Sequence, residues 1–338
     1  MKKRIPNTFN LPVYAQDVIA VNHVDELMAC YEHATAKNIP MLVLGEGSNT
    51  LFTEDFAGMV ILNRIGGVAI SETEDCWLIK AGAGVIWHQL VSQLIEQHIP
   101  GLENLALIPG CVGSAPIQNI GAYGVEFEQF ADYVELLDLT NGELITVTDG
   151  EYGYRESIFK SQYRQHYVVT AVGVKLPKQW QPVLSYGELK LFDRQTVTAK
   201  MIFDKVCEVR SSKLPNPKVL GNGGSFFKNP VIDRTQYQQL AKRYPDMPAY
   251  FQADGQVKLA AGWLIDQCGL KNHQIGGAAV HDKQALVLIN KDHAIAQDVI
   301  DLARVVRNTV QQRFGISLSP EIRFIAKQGE IDANLLLS

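Results

Sequence analysis

The stretch L-V-L-G-E-G-S-N-T, residues 42–50, runs an apolar strand into a turn with two glycines, and the residues after that turn decide the fold. Gly45 and Gly47 free backbone amides at the strand end, and Ser48 and Asn49 add side-chain donors, a combination that can cradle a pyrophosphate. A Rossmann unit needs G-x-G-x-x-G and then a crossover helix. Here Thr50 replaces the third glycine, and L-F-T-E-D-F-A-G-M-V-I-L (51–62) reads as loop and strand. Nucleotide binding at this loop therefore requires a different fold. A plain glycine turn is the competing reading.

Outward from that loop, Leu27, Cys30, Tyr31 and Ala34 recur at helical spacing and predict a helix over 23–37. Short buried strands are expected at 41–44 and 59–63. Ile86, Leu90, Val91 and Leu94 predict a second helix that stops by Pro100-Gly101. From about 132 to 176 the pattern changes to strands, with Asn141-Gly142 as a hairpin turn between the first two. Pro215 and Pro217 suggest a domain junction. Beyond it, Val257, Ala260, Ala261, Leu264 and Cys268 predict a helix capped near Gly269, A-L-V-L-I-N a strand, and 296–314 a helix ending at Gly315. The expected class is α+β, with a separate C-terminal domain.

Bulk properties narrow the function. A chain of 338 residues exceeds one usual hydrophobic core, so two or three domains are expected. With 46% apolar and 20% charged residues and a net charge of −5, it lacks the footprint of a nucleic-acid or anionic-membrane binder. No apolar run approaches the ~18 residues of a membrane span. Pro6, Asn7, Asn10 and Asp17 interrupt any signal-peptide core, which gives the expectation of a cytoplasmic protein. The five scattered cysteines form no C-x-x-C and the eight histidines no H-E-x-x-H, so no metal site is expected.

Four segments carry candidate chemistry. I-P-G-C-V-G-S-A-P-I-Q-N-I-G-A-Y-G (108–124) holds four glycines, two prolines and no charge. Such a loop can lie against a planar heterocycle and hydrogen-bond its edge; a surface loop is the plainer reading. In Y-G-Y-R-E-S-I-F-K (152–160) Arg155 sits among aromatics, where a guanidinium can grip a carboxylate or make a surface salt bridge. In S-P-E-I-R-F-I (319–325), alternation places Ile322 and Phe324 on one face and Glu321 and Arg323 on the other, a cross-strand surface ion pair being the plainer account. G-N-G-G-S-F-F-K-N-P (221–230) places Ser225 behind three glycines, on an expected tight turn. A hydrolase elbow would require glycine where Phe227 stands, and no base announces itself. A hydroxyl is a very weak acid, so as a proton donor Ser225 suits only a strongly basic acceptor such as an enolate carbon.

These segments, with A-A-G-W-L-I-D-Q-C-G-L-K and I-G-G-A-A-V-H, occur in one order along the whole chain and resemble the UDP-N-acetylenolpyruvoylglucosamine reductases, flavoproteins of bacterial peptidoglycan synthesis. W-Q-P-V-L-S-Y-G-E-L, with Tyr186, resembles the tyrosine-bearing loop of that family's longer type. The resemblance implies a two-part FAD-binding region of the vanillyl-alcohol-oxidase/PCMH type and a C-terminal α+β substrate-binding domain. The implied boundaries are 1–66, with 319–338 returning to it, then 67–214, then 215–318. It further implies FAD as cofactor, NADPH as co-substrate and UDP-N-acetylglucosamine enolpyruvate as substrate in a shared site, on a monomer without nucleic-acid or membrane partners.

The same resemblance assigns residues. Gly45, Gly47, Ser48 and Asn49 take the FAD pyrophosphate. Ile108, Pro109, Gly110, Ser114, Ile117, Gly121, Ala122 and Arg323 contact the isoalloxazine and adjoining parts. Tyr123, Tyr186, Arg210, Lys213, Asn229, Tyr250 and Gln284 bind substrate. Arg155 and Glu321 stabilise an enolate, and Ser225 protonates its α-carbon. Glu321 could serve by donating as a neutral acid, or by holding Arg155 or a water. Rival readings are another FAD oxidoreductase of this fold, a non-catalytic nucleotide-sugar binder, and a serine hydrolase; a colourless protein would favour the second.

Overall fold

The computed structural model describes residues 2–338. Two compact units divide the chain. The first comprises 16–47 and 58–212; the second comprises 2–15, 48–57 and 213–338. The change at 212/213 lies beside Pro215 and Pro217.

In the first unit a five-stranded antiparallel sheet runs in the order Leu144–Val147, Ala131–Asp138, Tyr167–Pro177, Cys76–Gly82, Val68–Glu72. The Tyr167–Pro177 strand is buried over seven consecutive residues, as its unbroken apolar run requires of a central strand. Helix Trp87–Glu96 buries Trp87, Leu90, Val91 and Leu94 against Ile79, Val172 and Val174 of that sheet's core. It ends earlier than Pro100-Gly101 predicts, because His98 turns left-handed at φ 60°. The predicted helix at 23–37 is Val24–Ala36, opened by the Glu26 carboxylate, which accepts from the amides of Asn22 (2.6 Å) and His23 (3.3 Å). Those bonds hold the Glu26 carboxyl below its ordinary value. Met41–Leu44 pairs in parallel with Met59 to Leu62 of the Phe56–Asn63 strand, and no crossover helix follows Thr50, as read from the sequence, although Thr50–Phe52, expected as loop, is a short strand.

The second unit holds three small sheets. One runs in the order Gly221–Ser225, Val287–Asn290, Ala278–Val280, Gln274–Ile275. Another has Val257–Leu259 between Val231–Ile232 and Ala249–Phe251; the third has Arg323–Ala326 between Gly329–Ile331 and Thr50–Phe52. Helix Ala296–Phe314 buries seven side chains and stops at Gly315, φ 69°, as predicted. The helix expected from Val257 is shorter: Val257 is a strand residue, and the helix is Ala261–Gln267. Apolar spacing continues smoothly from strand to helix there, so periodicity alone does not mark the change. Among the described residues no helix is long and apolar enough to cross a membrane.

Candidate active site

The 108–124 segment is pinned to the first unit along its length. The Trp87 amide at the helix start donates to the Gly110 carbonyl (3.0 Å), Val112 and Gly113 donate to Val85 and Ala83 (2.8 and 2.9 Å), and Ser157 Oγ donates to the Ile117 carbonyl (2.7 Å). Cys111, Val112, Ala115 and Ile120 are buried in the process, while Ile108, Ser114, Ile117, Gly121 and Ala122 stay half-buried. Ser114 turns its hydroxyl back on the Cys111 carbonyl (2.6 Å). Pro109 and Gly110, the latter at φ 111°, carry the chain between Ile108 and Cys111.

Arg155 reaches this segment from a left-handed backbone position, φ 59°. Its Nη2 donates to the Gly121 carbonyl (2.9 Å) and its Nη1 to that of Asn119 (3.3 Å), with the guanidinium 5.4 Å from the Tyr154 ring centre. The two nitrogens of one planar fork thus set the 119–121 turn. Asn119, fully buried, completes it: its amide donates to Glu126 and to the Gly153 carbonyl, and its oxygen accepts from the Glu128 amide.

Gly45 lies against the same segment. A Cβ there would stand 3.0 Å from Cys111 Sγ, so any side chain would have to push the Cys111 thiol aside. Arg64, which the sequence reading missed, donates to the Gly45 carbonyl (3.1 Å) and pairs with Glu46 (2.9 Å). Gly47 follows at φ 62°. These features fit a dinucleotide cofactor: a glycine turn whose Gly45 carbonyl is already engaged by Arg64 suits backbone binding of a phosphate.

Tyr123 and Tyr186 meet edge to face at 5.7 Å between ring centres, and the Asn104 amide bonds both the Tyr123 and Val183 carbonyls at 3.0 Å. Burial raises the Tyr123 phenol above its ordinary value, so it stays protonated. Arg210 donates through Nη2 to the Leu107 carbonyl (3.2 Å); its Nε is buried and makes no hydrogen bond among the described residues. A buried donor of that kind suits an acceptor from outside the protein.

Trp87 supports the whole segment. Its Nε1 donates to the buried Leu105 carbonyl (2.9 Å), and its ring packs edge to face on Phe127 at 6.3 Å. Trp87→Phe is expected to lower the unfolding free energy by about 1–3 kcal/mol, because the carbonyl is left without its donor. Urea titration checks this: the midpoint falls with the slope unchanged, whereas an unmoved midpoint would mean the carbonyl finds another partner.

In the second unit the two phenylalanines after Ser225 decide its placement. Phe226 and Phe227 are fully buried, and Phe226 packs on Phe9, Phe227 and Phe324 with ring centres 5.0–6.4 Å apart. Ser225 is not on the tight turn expected from its glycines. It closes the Gly221–Ser225 strand across a bulge, with Gly224 at φ 74° and its amide held by Asn222 Oδ1 (2.9 Å). The glycines serve a register shift, which a local reading cannot tell from a turn.

The same backbone brings Glu321 beside Ser225. The Glu321 amide donates to the Phe226 carbonyl (2.8 Å), Phe227 bridges Pro320, and the Lys228 amide donates to Ser319 (2.9 Å). On the other side Asn49 Nδ2 donates to the Glu321 carbonyl (3.3 Å), and the Arg323 amide donates to the Asn49 carbonyl (3.0 Å). Asn49, Glu321 and Arg323 are thus one knot, and one Asn49 amide hydrogen is spent within it. Arg323 pairs with Glu330 on the neighbouring strand, a cross-strand ion pair of the kind the plainer reading of this segment expected. Ser48 stands half-buried just before Asn49.

Asn229 Oδ1 accepts from the Ala261 amide (3.0 Å), and Gln284 Oε1 lies 2.9 Å from where a Gly262 Cβ would be, so both attend the start of the Ala261–Gln267 helix. Tyr250 is 40% exposed on the Ala249–Phe251 strand, in register with Lys258. Lys213 ends the Ala199–Lys213 helix.

Residues 15–148 match the family model of an FAD binding domain, and residues 216–325 match that of the UDP-N-acetylenolpyruvoylglucosamine reductase C-terminal domain. With the glycine cradle and the buried, uncharged loop already described, the chain is an FAD-binding oxidoreductase. The UDP-N-acetylenolpyruvoylglucosamine reductases of Pectobacterium atrosepticum and Yersinia pestis are 56% and 55% identical to it, covering 99% and 97% of this chain and 98% and 95% of their own. That of Escherichia coli K12 is 52% identical over 97% of this chain and 96% of its own. The solved UDP-N-acetylenolpyruvylglucosamine reductase of Thermus caldophilus shares the fold at a TM-score of 0.63 and 23% identity, over 96% of this chain and 98% of that one. The chain belongs to the UDP-N-acetylenolpyruvoylglucosamine reductase family.

Proposed function

We propose that the chain reduces UDP-N-acetylglucosamine enolpyruvate to UDP-N-acetylmuramate with electrons from NADPH, both reactants using one site of a cytoplasmic monomer. Bound FAD, once reduced by NADPH, would supply the hydride that the β-carbon of the enolpyruvyl group accepts. Charge then appears at the α-carbon and spreads into the neighbouring carboxylate as an enolate. The Arg155 guanidinium offsets that charge, and Glu321 completes the stabilisation. The Ser225 hydroxyl gives its proton to the α-carbon, which is basic enough to take it. Tyr123, Tyr186, Arg210, Lys213, Asn229, Tyr250 and Gln284 orient the nucleotide sugar. Gly45, Gly47, Ser48 and Asn49 hold the pyrophosphate of FAD, and Ile108, Pro109, Gly110, Ser114, Ile117, Gly121, Ala122 and Arg323 hold its ring and adjoining parts. The domain boundaries given by the resemblance belong to this proposal.

The observation that supports the reading is the bond from the Glu321 amide to the Phe226 carbonyl, which ties the backbone of Glu321 to the residue after the serine. A visible spectrum of the purified protein tests it. Flavin bands are expected to bleach under anaerobic NADPH and to return on adding the enolpyruvyl sugar. Bands that bleach without returning would retain the flavoprotein and remove the substrate. No bands after added FAD would remove both.

A further inference from the structure

We propose that His88 is a positioning residue for the cofactor loop: as a neutral imidazole it holds, together with Arg210, the Leu107 peptide from which that loop departs. This rests on the reading that residues 108–122 contact the flavin. Leu107 takes a left-handed backbone, φ 57°, unusual for a γ-branched residue. Both polar groups beside it are engaged. Its amide donates to His88 Nδ1 (3.2 Å), and its carbonyl accepts from Arg210 Nη2 (3.2 Å). Such a conformation persists only where its surroundings over-determine it, and these two bonds do so on either side of the residue.

The imidazole is itself fixed. It lies parallel to the Phe203 ring, with centres 5.7 Å apart and planes within 12°. Phe203 and Arg210 belong to one helix, Ala199–Lys213, and His88 stands in the first turn of Trp87–Glu96. An acceptor Nδ1 dictates the Nε2–H tautomer. Protonation would make Nδ1 a donor facing the Leu107 amide, and would place a cation beside Arg210. The other titratable groups around that guanidinium are Tyr123, Cys207 and Arg155. Loss of the clamp also frees the guanidinium whose buried Nε has no protein partner, so cofactor and substrate contacts loosen together.

His88 sits below the ordinary imidazole value of 6.5, chiefly through burial and secondarily through Arg210. A lowered value means that the folded state resists protonation. The clamp is complete above pH 6.5 and is lost as pH falls from there through the folded value. An acid limit on cofactor retention is the result.

The test is FAD affinity of the full chain between pH 8 and pH 5, by flavin fluorescence, for wild type, His88→Asn and His88→Leu. Asn offers Oδ1 near the position of Nδ1 and does not titrate. Wild type should lose affinity as pH falls through the folded imidazole value, by about tenfold for each unit by which bound FAD lowers that value further. His88→Asn should stay within about threefold of wild type at pH 8 and lack that acid limb. His88→Leu should bind FAD about tenfold or more weakly at every pH, since a backbone donor is stranded. A wild-type affinity flat with pH, or an Asn variant with the wild-type limb, overturns the proposal. A variant that does not fold is answered on wild type itself: the Leu107 amide resonance must shift with the His88 titration, and an unmoved amide overturns the clamp. Failure of wild type to bind FAD at pH 8 would instead remove the flavin reading, and the Leu107 resonance would still decide the clamp.

Discussion

Ser225→Ala leaves the reduction of bound FAD by NADPH near its wild-type rate and slows the reaction with the enolpyruvyl sugar by about 10²–10⁴-fold, the usual worth of a positioned general acid. The split is what the proton-donor role proposed for the hydroxyl requires. Accepting hydride from NADPH requires no proton from Ser225, whereas the enolate must be protonated before product leaves. The fold makes the experiment clean. Ser225 is anchored by the burial of Phe226 and Phe227 and by the Asn222 bond to Gly224, none of which involves its Oγ. Removing one oxygen therefore leaves the bulge standing. Stopped-flow absorbance separates the two half-reactions; an equal fall in both would show that Ser225 is not the proton donor.

Arg155→Lys keeps the positive charge and should still slow the second half-reaction by about 10²–10³-fold, the range for losing one preorganised electrostatic group. Two nitrogens of the guanidinium are committed to the Asn119 and Gly121 carbonyls, which fixes the plane of the group. An ammonium cannot span both carbonyls. The 119–121 turn should loosen as well, so the flavin absorbance maximum is expected to shift by a few nanometres, while flavin reduction by NADPH changes by less than about threefold. Turnover within about threefold of wild type would take the guanidinium out of the mechanism.

Most of this architecture was legible in the sequence wherever one periodicity held over several turns. Val24–Ala36, Trp87–Glu96 and Ala296–Phe314 lie where their apolar spacing put them, and the strands after residue 131 lie where alternation and Asn141-Gly142 put them. The misreadings have one cause. At Val257 and at Ser225, local pattern was read without the partner that decides it. Val257 pairs with Ile232 and Phe251, and Ser225 with Val287, so the deciding contacts come from other strands. The family resemblance supplied the proposed reacting side chains, but their supports were silent. Arg64, His88 and Asn104 act through backbone carbonyls or amides, and such bonds impose no spacing that a single sequence displays.

The parallel pairing of Thr50–Phe52 with Arg323–Ala326 has a consequence for biosynthesis. Residue 50 leaves the ribosome about 270 residues before its strand partner, a wait on the order of 10–50 s at ordinary elongation rates. Through that interval an apolar edge of three buried residues has no neighbour to cover it. Translation arrest before residue 323 should leave nascent chains that recruit chaperones and resist release as soluble fragments, whereas completion of the Arg323–Ala326 strand seals the seam.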